Sequence, residues 1–187
     1  MSKKLAVLFP GMGYTTDKPL LYYTGKLLVN AGYELKFIEF RDFPKKVAGD
    51  KDLLVKAAKI AVTQASEQLD ALPLGDYDDI VFVGKSIGTI ASSDYVNKHD
   101  LNVRQIWYTP LEETFPAKAD SSKVIAFIGT NDPWSDLSSV KAKAAVLNIK
   151  LYLYEDCNHS LECSDVKKNI DILKDVISHL MHFLNFD

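Results

Sequence analysis

The stretch Asp79-Ile80-Val81-Phe82-Val83-Gly84-Lys85-Ser86-Ile87-Gly88-Thr89-Ile90-Ala91 decides the reading of this chain. Its first half is an apolar, β-branched run bounded by polar residues, the pattern of a buried strand. It then passes through Gly84-x-Ser86-x-Gly88 into an apolar segment with helical spacing. A serine on so tight a strand-to-helix turn is held in strained backbone space, with its hydroxyl pushed out above the sheet. The residues two positions to either side have to be small, because strand and helix nearly touch there; Gly84 and Gly88 meet that need. The bland alternative is a glycine-rich turn without chemistry.

Working outward, the 187 residues suggest one domain, 1–187, with enough apolar content, 47%, for a substantial core. A net charge of −3 gives no reason to expect a nucleic-acid partner. No apolar run reaches the length of a membrane span. Met1-Ser2-Lys3-Lys4 followed by Leu5–Phe9 is too short in its apolar part for a signal peptide and reads as a first strand. Cys157 and Cys163 make no disulfide framework, so a reducing, cytoplasmic setting is expected. A metal site at Cys157, His159 and Cys163 is set aside because a second ligand cluster is missing, and neither metal nor cofactor is expected.

Taken in order, Leu5–Phe9 is a strand that ends in Pro10-Gly11-Met12-Gly13-Tyr14. Pro19 to Ala31 has helical spacing, stopped by Gly32. Glu34 to Phe40 alternates enough for a strand. Asp50 or Asp52 can cap a long helix to about Ala71, with Leu53, Leu54, Ala57, Ile60, Ala61 and Ala65 on one face. The serine strand and its helix, to about His99, follow. Val103–Tyr108 is a strand, 109–122 a loop, Val124–Ile128 a strand, and 137–147 a helix. Ile149–Tyr154 is the last strand and 165–184 the last helix. Six strands separated by helices imply βαβ units: a three-layer α/β/α, doubly wound, mostly parallel sheet. In such a sheet, ligands bind beyond the carboxyl ends of the strands.

Three loops at that edge carry complementary chemistry: Ser86 after the third strand, Asp132 after the fifth and His159 after the sixth. Nucleophile, acid, histidine is the order of an elbow-type serine hydrolase. With Gly84-Lys85-Ser86-Ile87-Gly88, Gly129-Thr130-Asn131-Asp132-Pro133-Trp134 and Asn158-His159-Ser160, the chain resembles a small α/β-hydrolase without a lid domain. The resemblance implies strand order 2-1-3-4-5-6, which places the loop after the first strand beside Ser86. The family's usual His-Gly in that loop is Pro10-Gly11 here, and the family's opening antiparallel strands are absent.

The roles this implies are Ser86 as nucleophile, His159 as base and Asp132 as the carboxylate that orients the imidazole. The backbone N–H groups of Met12 and Ile87 are the expected oxyanion donors. Met12, Tyr14, Tyr108, Leu111, Phe115 and Trp134 are expected to line a shallow, lidless crevice for a small acyl substrate. Glu112 is a rival acid, and Asp132 could instead cap the following helix. His99 reads as a helix-end residue, and His179 and His182 as solvated, with no acidic partner evident. The expected reaction is hydrolysis of an ester or thioester. One alternative is a non-catalytic binding protein of the same fold. Another is a nucleotide-binding Rossmann-like protein, from the partial fingerprint Gly11-Met12-Gly13-Tyr14-Thr15-Thr16 with Glu39 ending the second strand. A phosphate-binding P-loop is excluded, since Asp79 stands where its first glycine is required. Oligomeric state is not readable.

Overall fold

The computed structural model describes residues 2–116 and 118–186. Six strands are laid out in chain order: β1 Lys4–Phe9, β2 Tyr33–Phe37, β3 Asp79–Lys85, β4 Arg104–Tyr108, β5 Val124–Gly129 and β6 Lys150–Tyr154. They form one sheet in the order β2-β1-β3-β4-β5-β6, and every neighbouring pair is parallel. The helices are α1 Pro19–Asn30, α2 Lys51–Asp70, α3 Ile87–Lys98, α4 Leu137–Val146 and α5 Val166–Leu184.

Strand alternation sorts side chains onto two faces. Ala6, Leu8, Val81, Val83, Ile106 and Phe127 pack against Leu21 and Leu28 of α1 and Val176 and Leu180 of α5. Leu5, Val7, Phe9 and Phe82 meet the alanine-rich stripe Ala57, Ala61, Ala65 of α2 and Ile87 and Ala91 of α3. Small residues on that stripe let α2 and α3 lie close. Trp107, Val124 and Ala126 complete this second face with Ala144 of α4. Both faces are therefore covered, as a parallel sheet requires.

The helix starts have local causes. Asp50, Asp136 and Asp165 each accept backbone N–H groups from the first turn of α2, α4 and α5, which satisfies donors no helical carbonyl can reach. The second strand stops at Phe37, short of the expected Phe40. Ile38 still donates its N–H to Leu8 O at 2.9 Å. Beyond it, the Gln68 side chain bonds both backbone groups of Glu39, and Gln64 does the same for Arg41. Side-chain amides from α2 thus replace ladder partners on the sheet's edge.

At the amino edge of the sheet, Arg104 clamps several elements. Its guanidinium lies 2.7 Å from Asp79 Oδ2 and donates to Leu184 O at 3.0 Å. Tyr33 donates its hydroxyl to the same Asp79. The opposite, carboxyl edge is in register where it matters: Phe9 sits opposite Gly84, and Lys85 opposite Tyr108.

The turn between β3 and α3 is as tight as the glycine spacing requires. A Cβ on Gly88 would stand 2.3 Å from Phe9 O, and one on Gly84 2.7 Å from the Thr89 Cα. Both obstacles are backbone, so neither can swing aside. Gly88→Ala is expected to lower unfolding stability by about 3 kcal/mol, read as a fall in the urea midpoint.

Candidate active site

Ser86 adopts φ 56° and ψ −123°, a conformation that side chains other than glycine rarely hold. Its backbone is pinned on both sides. Ser86 N–H donates to Tyr108 O at 2.9 Å, and Ser86 O accepts from Thr89 N–H at 2.8 Å and from the Thr89 hydroxyl at 2.6 Å. The side chain then projects beyond the carboxyl edge, where the loops after β5 and β6 converge.

Those two loops touch through backbone. Asn131 donates its N–H to Cys157 O at 2.9 Å, and Thr130 its N–H to Tyr154 O at 2.9 Å. A Cβ on Gly129 would lie 2.1 Å from Cys157 O. Only glycine allows this approach, and it carries the Asp132 loop over to the His159 loop. The latter is closed on itself: Asn158 N–H donates to Glu162 O at 2.9 Å, and Asn158 Oδ1 accepts from Ser160 N–H at 2.7 Å.

The three side chains meet in line. His159 Nε2 lies 2.7 Å from Ser86 Oγ, and His159 Nδ1 lies 2.7 and 2.8 Å from the two Asp132 carboxylate oxygens. An ionised carboxylate only accepts, so the proton of a neutral imidazole sits on Nδ1. Nε2 is then the acceptor of the Ser86 hydroxyl. The Asp132 side chain is fully buried and also accepts Trp134 N–H at 2.9 Å. Its orientation is thus set by its own loop. Burial holds the His159 pKa below the ordinary imidazole value; the Asp132 hydrogen bond opposes this, and the Lys85 charge adds to it.

Asp132 does not cap α4; Asp136 does. Glu112 is not at the imidazole, because its carboxylate accepts Asp136 N–H at 2.7 Å. Gly11 brings the loop after β1 beside the serine: a Cβ there would be 3.3 Å from the Ser86 Cβ. That loop is a tight turn, with Gly11 and Tyr14 exchanging backbone hydrogen bonds around Met12-Gly13. Met12 N–H has no acceptor among the described residues. Ile87 is the first residue of α3, so no helical carbonyl reaches its N–H either. Neither N–H has an acceptor among the described residues.

The expected crevice needs correction. Tyr108 is 0% exposed, with its hydroxyl bonded to that of Thr24. Leu111 is core, and Phe115 packs edge-on against Trp107. Tyr14 is buried, with its hydroxyl accepting Leu20 N–H. Of the six, Trp134 flanks the imidazole, with ring centroids 5.8 Å apart, and Met12 lines a groove. Two open grooves flank the site instead. One of about 350 Å³ runs from Trp134 past Val47, Leu54 and Val55. Another of about 550 Å³ lies beside Met12, with Thr16, Phe37, Phe40 and Phe43. The 40–50 segment carries no periodic pattern, so nothing in the sequence marked it as a wall. A further cleft, of about 340 Å³, opens among Asp100, Val103, Lys123 and Val124 near the amino edge, with none of these groups in it.

Lys85 was visible in the motif without a role. It is 1% exposed, and its ammonium lies 4.9 Å from the centre of the Tyr14 ring. Burial pulls its pKa down to about 7, and the Asp132 charge acts in the opposite direction. His179 also departs from expectation: it lies 3.4 Å from Asp175 and stacks on Tyr152. His99 stacks on Tyr95 at the end of α3, a packing position.

No known family's sequence pattern matches the chain, and no curated protein matches it in sequence. Solved structures do. An α/β serine hydrolase homologue from Coxiella burnetii superposes with TM-score 0.67 at 15% identity, covering 96% of this chain and 86% of that one. A serine hydrolase without a lid from Xanthomonas campestris gives 0.63 at 16% identity, covering 99% and 83%. The esterase Pf2001 of Pyrococcus furiosus gives 0.65 at 14% identity, covering 98% and 83%. The fold is that of the α/β-hydrolases.

Asp132→Asn removes the interaction that raises the His159 pKa while leaving burial and Lys85 in place. The imidazole is expected to titrate at still lower pH in this variant, followed by NMR of its ring protons.

Proposed function

We propose that the protein is a serine hydrolase that cleaves a small carboxylic ester or thioester through an acyl-Ser86 intermediate. The observation that carries this reading is the unbroken line Ser86 Oγ, His159 Nε2, His159 Nδ1, Asp132, with both links at hydrogen-bond distance.

The chemistry follows from the geometry. Ser86 Oγ attacks the carbonyl carbon while His159 Nε2 takes its proton. Asp132 stabilises the imidazolium that forms. The carbonyl oxygen, now negative, is received by the N–H groups of Met12 and Ile87, each such donor being worth roughly 10²–10³ in rate. Collapse expels the alcohol or thiol, which takes the proton back from His159. Water then attacks the acyl group by the same route, releasing the acid and restoring Ser86. The lowered His159 pKa keeps the base unprotonated at neutral pH. Activity is therefore present at neutrality and lost as pH falls through a value below that of free imidazole.

The open grooves beside Trp134 and Met12 suit short acyl and alcohol groups rather than a buried lipid. The free thiols of Cys157 and Cys163 agree with a reducing, cytoplasmic setting. The dinucleotide alternative loses its basis. Gly11-Met12-Gly13 closes a turn of its own, α1 begins only at Pro19, and Glu39 is paired with Arg41.

A fluorophosphonate probe is expected to label the purified protein at Ser86. Labelling should vanish in Ser86→Ala and slow by about 10³-fold or more in His159→Ala and Asp132→Asn. Glu112→Gln should change it less than about twofold. Unlabelled wild type, or labelling that survives Ser86→Ala, would favour the non-catalytic reading. On a series of esters of graded acyl length, turnover is expected to peak at the short end; a steady rise toward long chains would contradict the small-substrate assignment.

A further inference from the structure

Two grooves open beside the Ser86–His159 pair, and their chemistry differs. The first borders the serine. The loop after β1 reaches it at Gly11, where an added Cβ would stand 3.3 Å from the Ser86 Cβ. From that loop a groove of about 550 Å³ runs past Met12 and Thr16 to Phe37, Phe40 and Phe43. Phe40 and Phe43 are half-buried against the core shared with α2 and α3, with ring centroids 5.7 Å apart and planes tilted by 53°. Phe37 is 50% exposed, a large apolar side chain with little cover. Glu39 and Arg41, the charged residues of this groove, pair with each other at 2.7 Å and keep their side chains mostly in solvent. The aromatic wall is braced: Gln68 and Gln64 of α2 hold the backbone on either side of Phe40, at Glu39 and at Arg41.

The second groove borders the base. The Trp134 ring stands 5.8 Å from the imidazole, centre to centre, and about 350 Å³ of open space leads from it past Val47, Leu54 and Val55. Its floor is aliphatic. Its rim is charged, with Asp50, Lys51, Glu112 and Glu113.

The geometry of attack divides a substrate between the two. The tetrahedral carbon formed at Ser86 carries the serine oxygen, the oxyanion, the leaving atom and the acyl carbon. The oxyanion turns to the N–H groups of Met12 and Ile87. The leaving atom takes its proton from His159 Nε2, so it lies on the imidazole's side, where Trp134 begins the second groove. The acyl carbon is left with the first. We propose that the acyl half of the substrate is a compact aromatic group of the arylacetyl kind, seated against Phe37, Phe40 and Phe43, and that the leaving alcohol or thiol lies past Trp134 along Val47 and Val55. This rests on the serine-hydrolase reading and names its substrate class. A tilted ring pair offers an edge and a face to a third ring at the same spacing. The Met12 sulfur adds a favourable contact to a ring edge. A linear acyl chain gains apolar contact alone and loses rotamer freedom in making it.

The test uses p-nitrophenyl acetate, octanoate and phenylacetate, each rate taken relative to that ester's own hydrolysis in buffer. Octanoyl and phenylacetyl have the same number of carbons, so size does not separate them. Wild type should favour the phenylacetate over either of the others by about tenfold in kcat/KM. Phe37→Ala, at an exposed position, and Phe43→Leu, which keeps apolar bulk, should each cut that preference about threefold. Val55→Trp, which fills the second groove from an exposed position, should lower the ratio of butyl to methyl phenylacetate turnover about tenfold. It should leave the phenylacetyl-to-octanoyl ratio as in wild type. Equal turnover of phenylacetate and octanoate, or a preference that survives both phenylalanine changes, overturns the aromatic acyl seat. A Val55→Trp variant that shifts the acyl preference instead overturns the division between the grooves. In both cases fluorophosphonate labelling at Ser86 keeps the hydrolase reading standing. Absence of labelling in wild type brings down that reading, and both seats with it.

Discussion

Backbone passing against backbone with no Cβ between is the constraint on which the rest depends. At the carboxyl edge, β1 meets α3 at Gly88, β3 meets α3 at Gly84, and the loops after β5 and β6 meet at Gly129. The first two contacts set the angle at which Ser86 leaves the sheet. The third sets how far Asp132 stands from His159. A serine, a histidine and a carboxylate separated by tens of residues come to hydrogen-bond distance because these crossings allow no slack. Hydrogen bonds such as Asn131 N–H to Cys157 O then fix what steric fit has placed.

Much of this was legible in the sequence, because it follows from pattern. Alternating apolar runs and helical stripes gave six strands and five helices, and βαβ spacing gave a parallel sheet. The elbow was legible because its glycines are spaced by a steric rule. The side walls of the site were not. Tyr108 ends a strand, and whether such a residue faces the crevice or the layer below depends on one step of alternation and on a partner, Thr24, far away in sequence. Val47 and Leu54 belong to a stretch that only tertiary contact brings to Trp134. The role of Gly129 was hidden for the same reason, since the backbone it avoids belongs to another loop. Edge pairing by Gln64 and Gln68 left no trace at all, because a half-buried glutamine on a helix is ordinary.

Electrostatics divides the molecule into two ends. At the amino edge, Arg104, Asp79 and Tyr33 form a compact group that joins β2, β3 and β4, with Arg104 also bonded to Leu184 O at the end of α5. At the carboxyl edge, Asp132, His159 and Lys85 make an arrangement that is well packed and poor in counter-charge. The first holds elements together; the second links a hydroxyl, an imidazole and a carboxylate by hydrogen bonds. Placing them at opposite ends of the strands lets each satisfy its own requirement.

The helix that follows Ser86 has nine of its twelve residues buried, between the sheet on one side and α2 on the other. A strained residue at a frayed helix end would relax whenever the end opened. Here the first turn of α3 cannot open without lifting the helix out of the core. Local fluctuation is thus denied to the elbow, and its opening has to wait for cooperative unfolding of the whole layer. The unfavourable backbone angles of Ser86 are in this sense a permanent property of the folded molecule, as slow to relax as its innermost amides are to exchange with solvent.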